Sequence, residues 1–212
     1  RIVHNPTQGV KPVKRQRAHL RDPLTTLEVK RVLSKVKTET VQGKRDYAIL
    51  CLMAYTGVRQ VEVHRANLED LQTRGNYLVL RLQGKGRKER DDMVVLVHPN
   101  VQNAVLDWLS VRQYEPGALF TSLSNASKGE RLSLRAIRDI VKGYYGAAGV
   151  VGGNKTTHSL RHTAITQARR GGATPEQVQN MARHSSITTT MIYIHEVDRV
   201  DNPAEAFIDY EE

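Results

Sequence analysis

The sequence predicts a mainly α-helical fold that carries one small three-stranded antiparallel β-sheet. Three observations predict it. Apolar residues recur at helical spacing through most of the 212-residue chain. That spacing gives way between residues 68 and 97 to short β-like runs separated by glycine turns. Threonine capping boxes stand ahead of two of the helical stretches. The length suits a single compact domain with one sizeable core, or such a domain with an appended segment.

Residues 1–23 contain Pro6, Pro12 and Pro23, few apolar side chains and the cluster Lys14-Arg15-Gln16-Arg17, so they read as an extended basic arm between domains. The chain opens on Arg1 inside that arm, which leads us to expect a further domain upstream. Thr25 and Glu28 form the first capping box, and Val29, Val32, Leu33 and Val36 fall on one helical stripe after it. The run 47–55 is apolar on every side and stops at Gly57, as a buried helix with a glycine C-cap does. Arg59 then opens the next helix. Strands are expected at 68–71, 77–82 and 93–97, with a turn at Arg74-Gly75-Asn76 and a second at Gly84 to Gly86 that carries Lys85. Helices follow near 101–114, 133–145 and 158–170. Another starts at Thr174-Pro175-Glu176-Gln177, with Pro in its first position and Gln closing the capping box. A short helix at 204–210 would show Ala204, Phe207 and Ile208 on one face.

Lys and Arg number 32 against 22 Asp and Glu, a net charge of +10, which favours a polyanionic partner. The distribution is uneven. Residues 1–45 hold 12 basic and 3 acidic residues, whereas residues 196–212 hold 1 basic and 7 acidic. The front of the chain faces an anion and the tail avoids one. The single cysteine, Cys51, lies in the apolar run, so no intramolecular disulfide can form and a reducing compartment is expected. No apolar stretch approaches the roughly 20 residues of a membrane span, and no signal peptide is visible.

The chemistry-bearing residues are scattered: Arg59, Lys85, His158, Arg161, His184 and Tyr193. A phosphodiester under attack develops negative charge on its non-bridging oxygens, and planar guanidinium groups meet two such oxygens with paired charged hydrogen bonds. Arg59 and Arg161 fit that need. The 5′-oxygen departs poorly unless protonated, which asks for a general acid such as Lys85. His158 and His184 can donate to phosphate or relay protons, since imidazole titrates near neutrality. A phenol such as Tyr193 can attack the phosphorus directly and conserve the bond energy in a covalent phosphotyrosine, without nucleotide or metal.

In order, Thr56-Gly57-Val58-Arg59-Gln60-Val61-Glu62, Gly84-Lys85-Gly86-Arg87-Lys88-Glu89-Arg90, His158-Ser159-Leu160-Arg161-His162, and Arg183-His184-Ser185-Ser186 followed by Tyr193 resemble the catalytic domain of tyrosine recombinases. That family includes phage and transposon integrases and Xer-type chromosome-dimer resolvases. The resemblance spans about residues 24–195, and the order and spacing of the elements carry it, since none is decisive alone. It implies the DNA breaking-rejoining fold, with a catalytic domain over 24–199 and an acidic tail over 200–212 that docks on a neighbouring protomer or on its own. It further implies site-specific recombination through a 3′-phosphotyrosine. Tyr193 would be the nucleophile, Lys85 the acid and His158 an aid to phenol deprotonation. His184 would support the scissile phosphate, and Glu62 would organise the site. Arg87, Lys88, Arg90, Arg183, Lys14, Arg15 and Arg17 are expected to contact DNA. The resemblance implies no cofactor and no metal. Its partners would be double-stranded DNA with specific recombination sites and a homo-oligomer, a tetramer, on that DNA, in the cytoplasm at the nucleoid.

The chain departs from the family pattern twice. Asp91-Asp92-Met93-Val94-Val95-Leu96 lacks a proline and is a residue or two longer than the usual strand, and Arg183 stands where glycine is usual. Arginine there either distorts the turn or adds a phosphate contact. Rival readings are weaker. The four-residue spacing of His158 and His162 suggests a zinc helix, but Ser159 stands where that motif needs Glu. A non-catalytic sequence-specific or architectural DNA-binding protein would keep the basic surface without using the site. A type IB topoisomerase would use similar tyrosine chemistry as a monomer.

Overall fold

The computed structural model describes residues 22–83, 92–113, 116–150 and 152–201, with 203, 206 and 208 beyond them. The expected DNA contacts Lys14, Arg15, Arg17, Arg87, Lys88 and Arg90 lie outside the described residues, as do Lys85 with its glycine turn and the tail residues Ala204 and Phe207.

Helix α1 spans Thr26–Ser34 and starts on the expected box: Thr25 Oγ1 accepts from the Glu28 N–H at 3.2 Å, and Glu28 Oε2 accepts from the Thr25 N–H at 2.8 Å. The Leu24 N–H, donating to Thr163 Oγ1 at 2.7 Å, anchors this first turn on a helix 139 positions away. Helix α2, Val41–Thr56, begins two turns before its apolar run, because Thr40 caps it by accepting from the Gly43 N–H at 2.9 Å. Residues 48–53 are buried on all sides, so α2 is the axis of the main core. Each large apolar side chain so buried contributes about 1.5–3 kcal/mol. The helix ends at Gly57, whose left-handed φ of 63° suits the missing Cβ.

Helix α3 follows at Gln60–Arg65. The strand expected at 68–71 is instead a 3-10 turn over Leu68–Asp70, because buried Asp70 bends back to accept from the Asn67 N–H at 2.7 Å. Strand β1 therefore starts where that turn ends, at Leu71–Arg74, and pairs antiparallel with β2 at Tyr77–Leu82 through the Gly75-Asn76 turn. Strand β3, Asp92–Val95, pairs with β2 in the register Leu82↔Asp92 to Val79↔Val95, giving the order β1-β2-β3. Mainly α with one small three-stranded antiparallel sheet is thus the observed architecture.

Helix α4, Pro99–Val111, starts a residue pair earlier than its apolar periodicity because His98 caps it and Pro99 occupies the first position. It lies along α2, and its Trp108 is fully buried, with Nε1 donating to Leu119 O at 2.9 Å. Helices α5, Leu134–Ala147, and α6, Thr157–Arg170, complete the main body. Helices α7, Pro175–Ala182, and α8, Ile187–Asp201, pack with α6 around a second, smaller core of Ile165, Val178 and Ala182. Among the described residues no helix is long and apolar enough to cross a membrane.

Candidate active site

Of the sequence-predicted residues, Arg59, Glu62, Arg161, Arg183, His184 and Tyr193 converge where the C-terminal ends of α2 and α7 meet α6. Gly57 turns the chain so that Arg59 caps α3, and Glu62 then reaches back one turn. Its Oε2 accepts from the Arg59 N–H at 2.7 Å and its Oε1 from Arg59 Nη1 at 2.8 Å. The acid thus supplies one half of a capping box and the arginine answers it with its guanidinium. Glu62 is fully enclosed while Arg59 keeps 22 % of its side chain exposed, so the acid is inside and the guanidinium faces out.

Arg161 stands on α6 with 4 % exposure. Its Nη1 donates to Gly57 O at 2.6 Å and its Nη2 to Ala182 O, the closing carbonyls of α2 and α7. A cation is favoured there because helix C-termini carry partial negative charge. Burial, and then the positive charges of Arg59 and Arg183, pull its guanidinium down to about 9, so it remains charged at neutral pH.

Arg183 ends α7 in the left-handed conformation, φ 53° and ψ 47°, the conformation a glycine would supply. The turn expected to need glycine is therefore made without distortion, at a backbone cost of roughly 1–2 kcal/mol. Its side chain does not extend to solvent. It is 5 % exposed, with Nη2 donating to Glu62 Oε2 at 2.9 Å and Nη1 to Met181 O at 2.7 Å, while Nε is buried without a hydrogen-bond partner. Burial alone would raise the Glu62 carboxyl, but the charge of Arg183 and the hydrogen bonds and charge of Arg59 outweigh it and hold the group below its usual range. Asp92, which opens β3, favours the charged form of Arg183, so the start of that strand also borders the cluster.

The histidines and the tyrosine form the other half. His184 follows Arg183 directly, and its Nδ1 lies 2.9 Å from Oγ1 of Thr190, a fully buried residue of α8. One turn on, half-buried Tyr193 stacks on the His184 ring, with centroids 5.7 Å apart and planes 19° apart. The edge of buried His162 meets the Tyr193 ring at 4.8 Å and 81°. His158 is the exposed residue in the otherwise buried first turn of α6, its N–H donating to Thr156 Oγ1 at 3.3 Å, one turn before Arg161.

Arg59, Glu62, Arg161 and Arg183 are thereby joined through Glu62 and the ends of α2 and α7, and His184 and Tyr193 through their rings. Sequence reasoning left out His162 and Thr190, both packed directly on this group. Thr190 is one of three consecutive threonines, and only its inward position distinguishes it. His162 was legible as the second histidine of His158-x-x-x-His162, a spacing that puts both on one side of a helix. Among the described residues no group of three His, Cys, Asp or Glu could hold a metal ion.

The chain is similar to known proteins in sequence and in fold. The model of the phage integrase family matches residues 23–199. The tyrosine recombinase XerC of Corynebacterium glutamicum is 37 % identical over 167 residues, 77 % of this chain and 51 % of that protein. XerC of Thermodesulfovibrio yellowstonii is 32 % identical over 199 residues, covering 92 % and 64 %. The TnP I resolvase of Bacillus thuringiensis is 34 % identical over 175 residues, covering 80 % and 56 %. The chain thus spans about half to two-thirds of the length of these relatives. In fold it is similar to the XerA recombinase, with a TM-score of 0.68 at 25 % identity over 87 % of this chain and 67 % of that one. It is similar also to the XerH site-specific recombinase bound to palindromic difH substrate, with a TM-score of 0.73 at 22 % identity, covering 92 % and 54 %.

Proposed function

The chain belongs to the phage integrase family, and from that premise we propose that it carries the strand-transfer centre of a site-specific tyrosine recombinase acting on double-stranded DNA. The observation that carries this reading is the placement of Tyr193 against His184, on the turn that also supplies Arg183 and next to the carbonyl that holds Arg161. A phenol and a group of guanidinium ions share one small region, as in-line attack on a phosphodiester requires.

In this reading Arg59 and Arg161 hold the non-bridging oxygens of the scissile phosphate. Tyr193 Oη attacks phosphorus, the bond from phosphorus to the 5′-oxygen breaks, and a 3′-phosphotyrosine forms. The phenolic proton leaves towards His158, and the departing 5′-oxygen takes a proton from Lys85, so the products are the covalent ester and a free 5′-hydroxyl. Attack by a 5′-hydroxyl of a partner strand reverses each step and rejoins the DNA. One ester replaces another, so neither nucleotide nor metal is required. When Thr190 donates to His184 Nδ1, the ring proton sits on Nε2, where it can bond the phosphate.

The remaining parts of the reading follow from charge and position. Residues 1–23 serve as a basic interdomain arm on DNA, residues 24–199 as the catalytic domain, and the acidic 200–212 segment docks on protein. Strand exchange between two duplexes requires several protomers, and we place a tetramer on the DNA, at the nucleoid. Affinity should fall with salt as Lys and Arg, including those of the 84–90 segment, release condensed counterions.

Covalent trapping tests the reading. Protein is incubated with nicked duplex fragments of its source DNA and denatured, and an adduct is sought for wild type and Tyr193→Phe. An adduct present only in wild type is expected. DNA binding without an adduct would favour the non-catalytic DNA-binding alternative.

A further inference from the structure

We propose that Arg183 is a positioning residue that closes a guanidinium–carboxylate–guanidinium clamp with Glu62 and Arg59, so that Arg59 stays oriented and keeps its charge for the scissile phosphate. The proposal rests on the strand-transfer reading and adds to it a residue that works through Glu62.

Arg183 is the single non-glycine residue with positive φ among the described residues. A glycine at this turn would be free of backbone strain and would leave no buried Nε–H without a partner. Arginine incurs both costs, and among the described residues the buried carboxylate it pairs with is Glu62, at 2.9 Å. Both oxygens of that carboxylate are engaged by the same two residues. Arg59 takes Oε1 and, through its N–H, Oε2; Arg183 takes Oε2.

Two consequences follow. The first is mechanical: the turn that presents His184 becomes tied to the start of α3 that presents Arg59, across 121 positions of sequence. The second is electrostatic. With Arg183 absent, the full charge of enclosed Glu62 would be set against Arg59 alone and would offset the guanidinium meant for phosphate. With it present, one carboxylate serves two guanidiniums, and Arg161, held on the closing carbonyls of α2 and α7, adds a third positive charge. The cluster retains an excess of positive charge where an anion is to be stabilised.

The test separates binding from chemistry. Single-turnover cleavage at saturating DNA and the DNA Kd are measured for wild type, Arg183→Gly, Arg183→Lys, Glu62→Gln and the Arg183→Gly/Glu62→Gln pair. Arg183→Gly is expected to cleave about 30-fold more slowly while its Kd changes less than about threefold. Arg183→Lys should recover most of the rate. In the Glu62→Gln background the glycine substitution should cost less than about threefold more, since coupled residues are not additive. Arg183→Asn, which tolerates the left-handed turn, provides a second uncharged variant with the same expected pattern if Arg183→Gly proves unstable. Unchanged cleavage in Arg183→Gly would overturn the proposal. So would weaker DNA binding with normal saturated cleavage, which would make Arg183 a DNA contact, or a full 30-fold loss in the Glu62→Gln background. A wild-type protein that forms no Tyr193 adduct would overturn both readings, whereas an active wild type with an equally active Arg183→Gly overturns this one alone.

Discussion

Replacing Glu62 with glutamine should reveal how much of the fold is held at the site. The carboxylate is enclosed and accepts three hydrogen bonds, two from guanidinium groups and one from the Arg59 backbone. Glutamine is nearly isosteric but neutral, and its amide turns one donor towards cations. Removing one partner of a buried ion pair costs about 3–5 kcal/mol, because the other charges remain desolvated. One carbonyl acceptor survives in glutamine, so we expect the lower end, about 3 kcal/mol, of a total stability of about 5–15 kcal/mol. With a urea slope of roughly 1–3 kcal/mol per molar, the midpoint should fall by about 1 M or more. Trp108 is the single tryptophan and is fully buried, so its fluorescence reports the transition. The loss should also depend on pH. Glu62 is held below its ordinary value of 4.5, so the folded state binds its proton less readily than the unfolded state. Its contribution is therefore complete above about 4.5 and is lost as pH falls through the lower, folded value. The gap between wild type and Glu62→Gln should narrow on acidification below that point and stay constant above it. A midpoint shift at neutral pH under about 0.3 M, or a gap that does not narrow in acid, would refute the clamp as a source of stability.

Three further substitutions probe other links. Gly43→Ala would place a Cβ 1.8 Å from the Lys37 carbonyl oxygen, so we expect a loss of about 2–3 kcal/mol by urea titration, whereas Gly143→Ala, inside α5 with open space around it, should gain up to about 1 kcal/mol from helix propensity. Thr190→Val keeps the buried shape and removes the hydroxyl at His184 Nδ1, and since one hydrogen bond is worth about 0.5–1.5 kcal/mol we expect cleavage about 5–10-fold slower at unchanged DNA affinity; an unaltered rate would deny Thr190 a part in orienting the ring.

How much was legible depended on which forces acted locally. Helix α1 and the start of α7 could be read residue by residue, because a capping box satisfies its own backbone groups within four positions. The true start of β1 could not, because Asp70 had an extended and a bent option, and its burial with a bond to the Asn67 N–H favoured the bend. Helix α6 gave a weak apolar pattern because so many of its buried positions are polar: Ser159, Arg161, His162, Thr163 and Thr166. Arg161 is buried against the closing carbonyls of α2 and α7 and His162 against Tyr193 of α8, and partners distant in sequence leave no periodicity.

The sequence by itself determined the class of fold, the residue types and order of the candidate site, and the electropositive balance of the chain. These are properties of composition, spacing and short-range hydrogen bonding. Tertiary structure alone decided that Arg183 turns inward to Glu62, that Arg161 sits between two helix ends, and that Thr190 and His162 pack on the His184–Tyr193 pair. A charged side chain can be satisfied by water or by a buried counter-charge, and only the three-dimensional packing of α3, α6, α7 and α8 excludes the water.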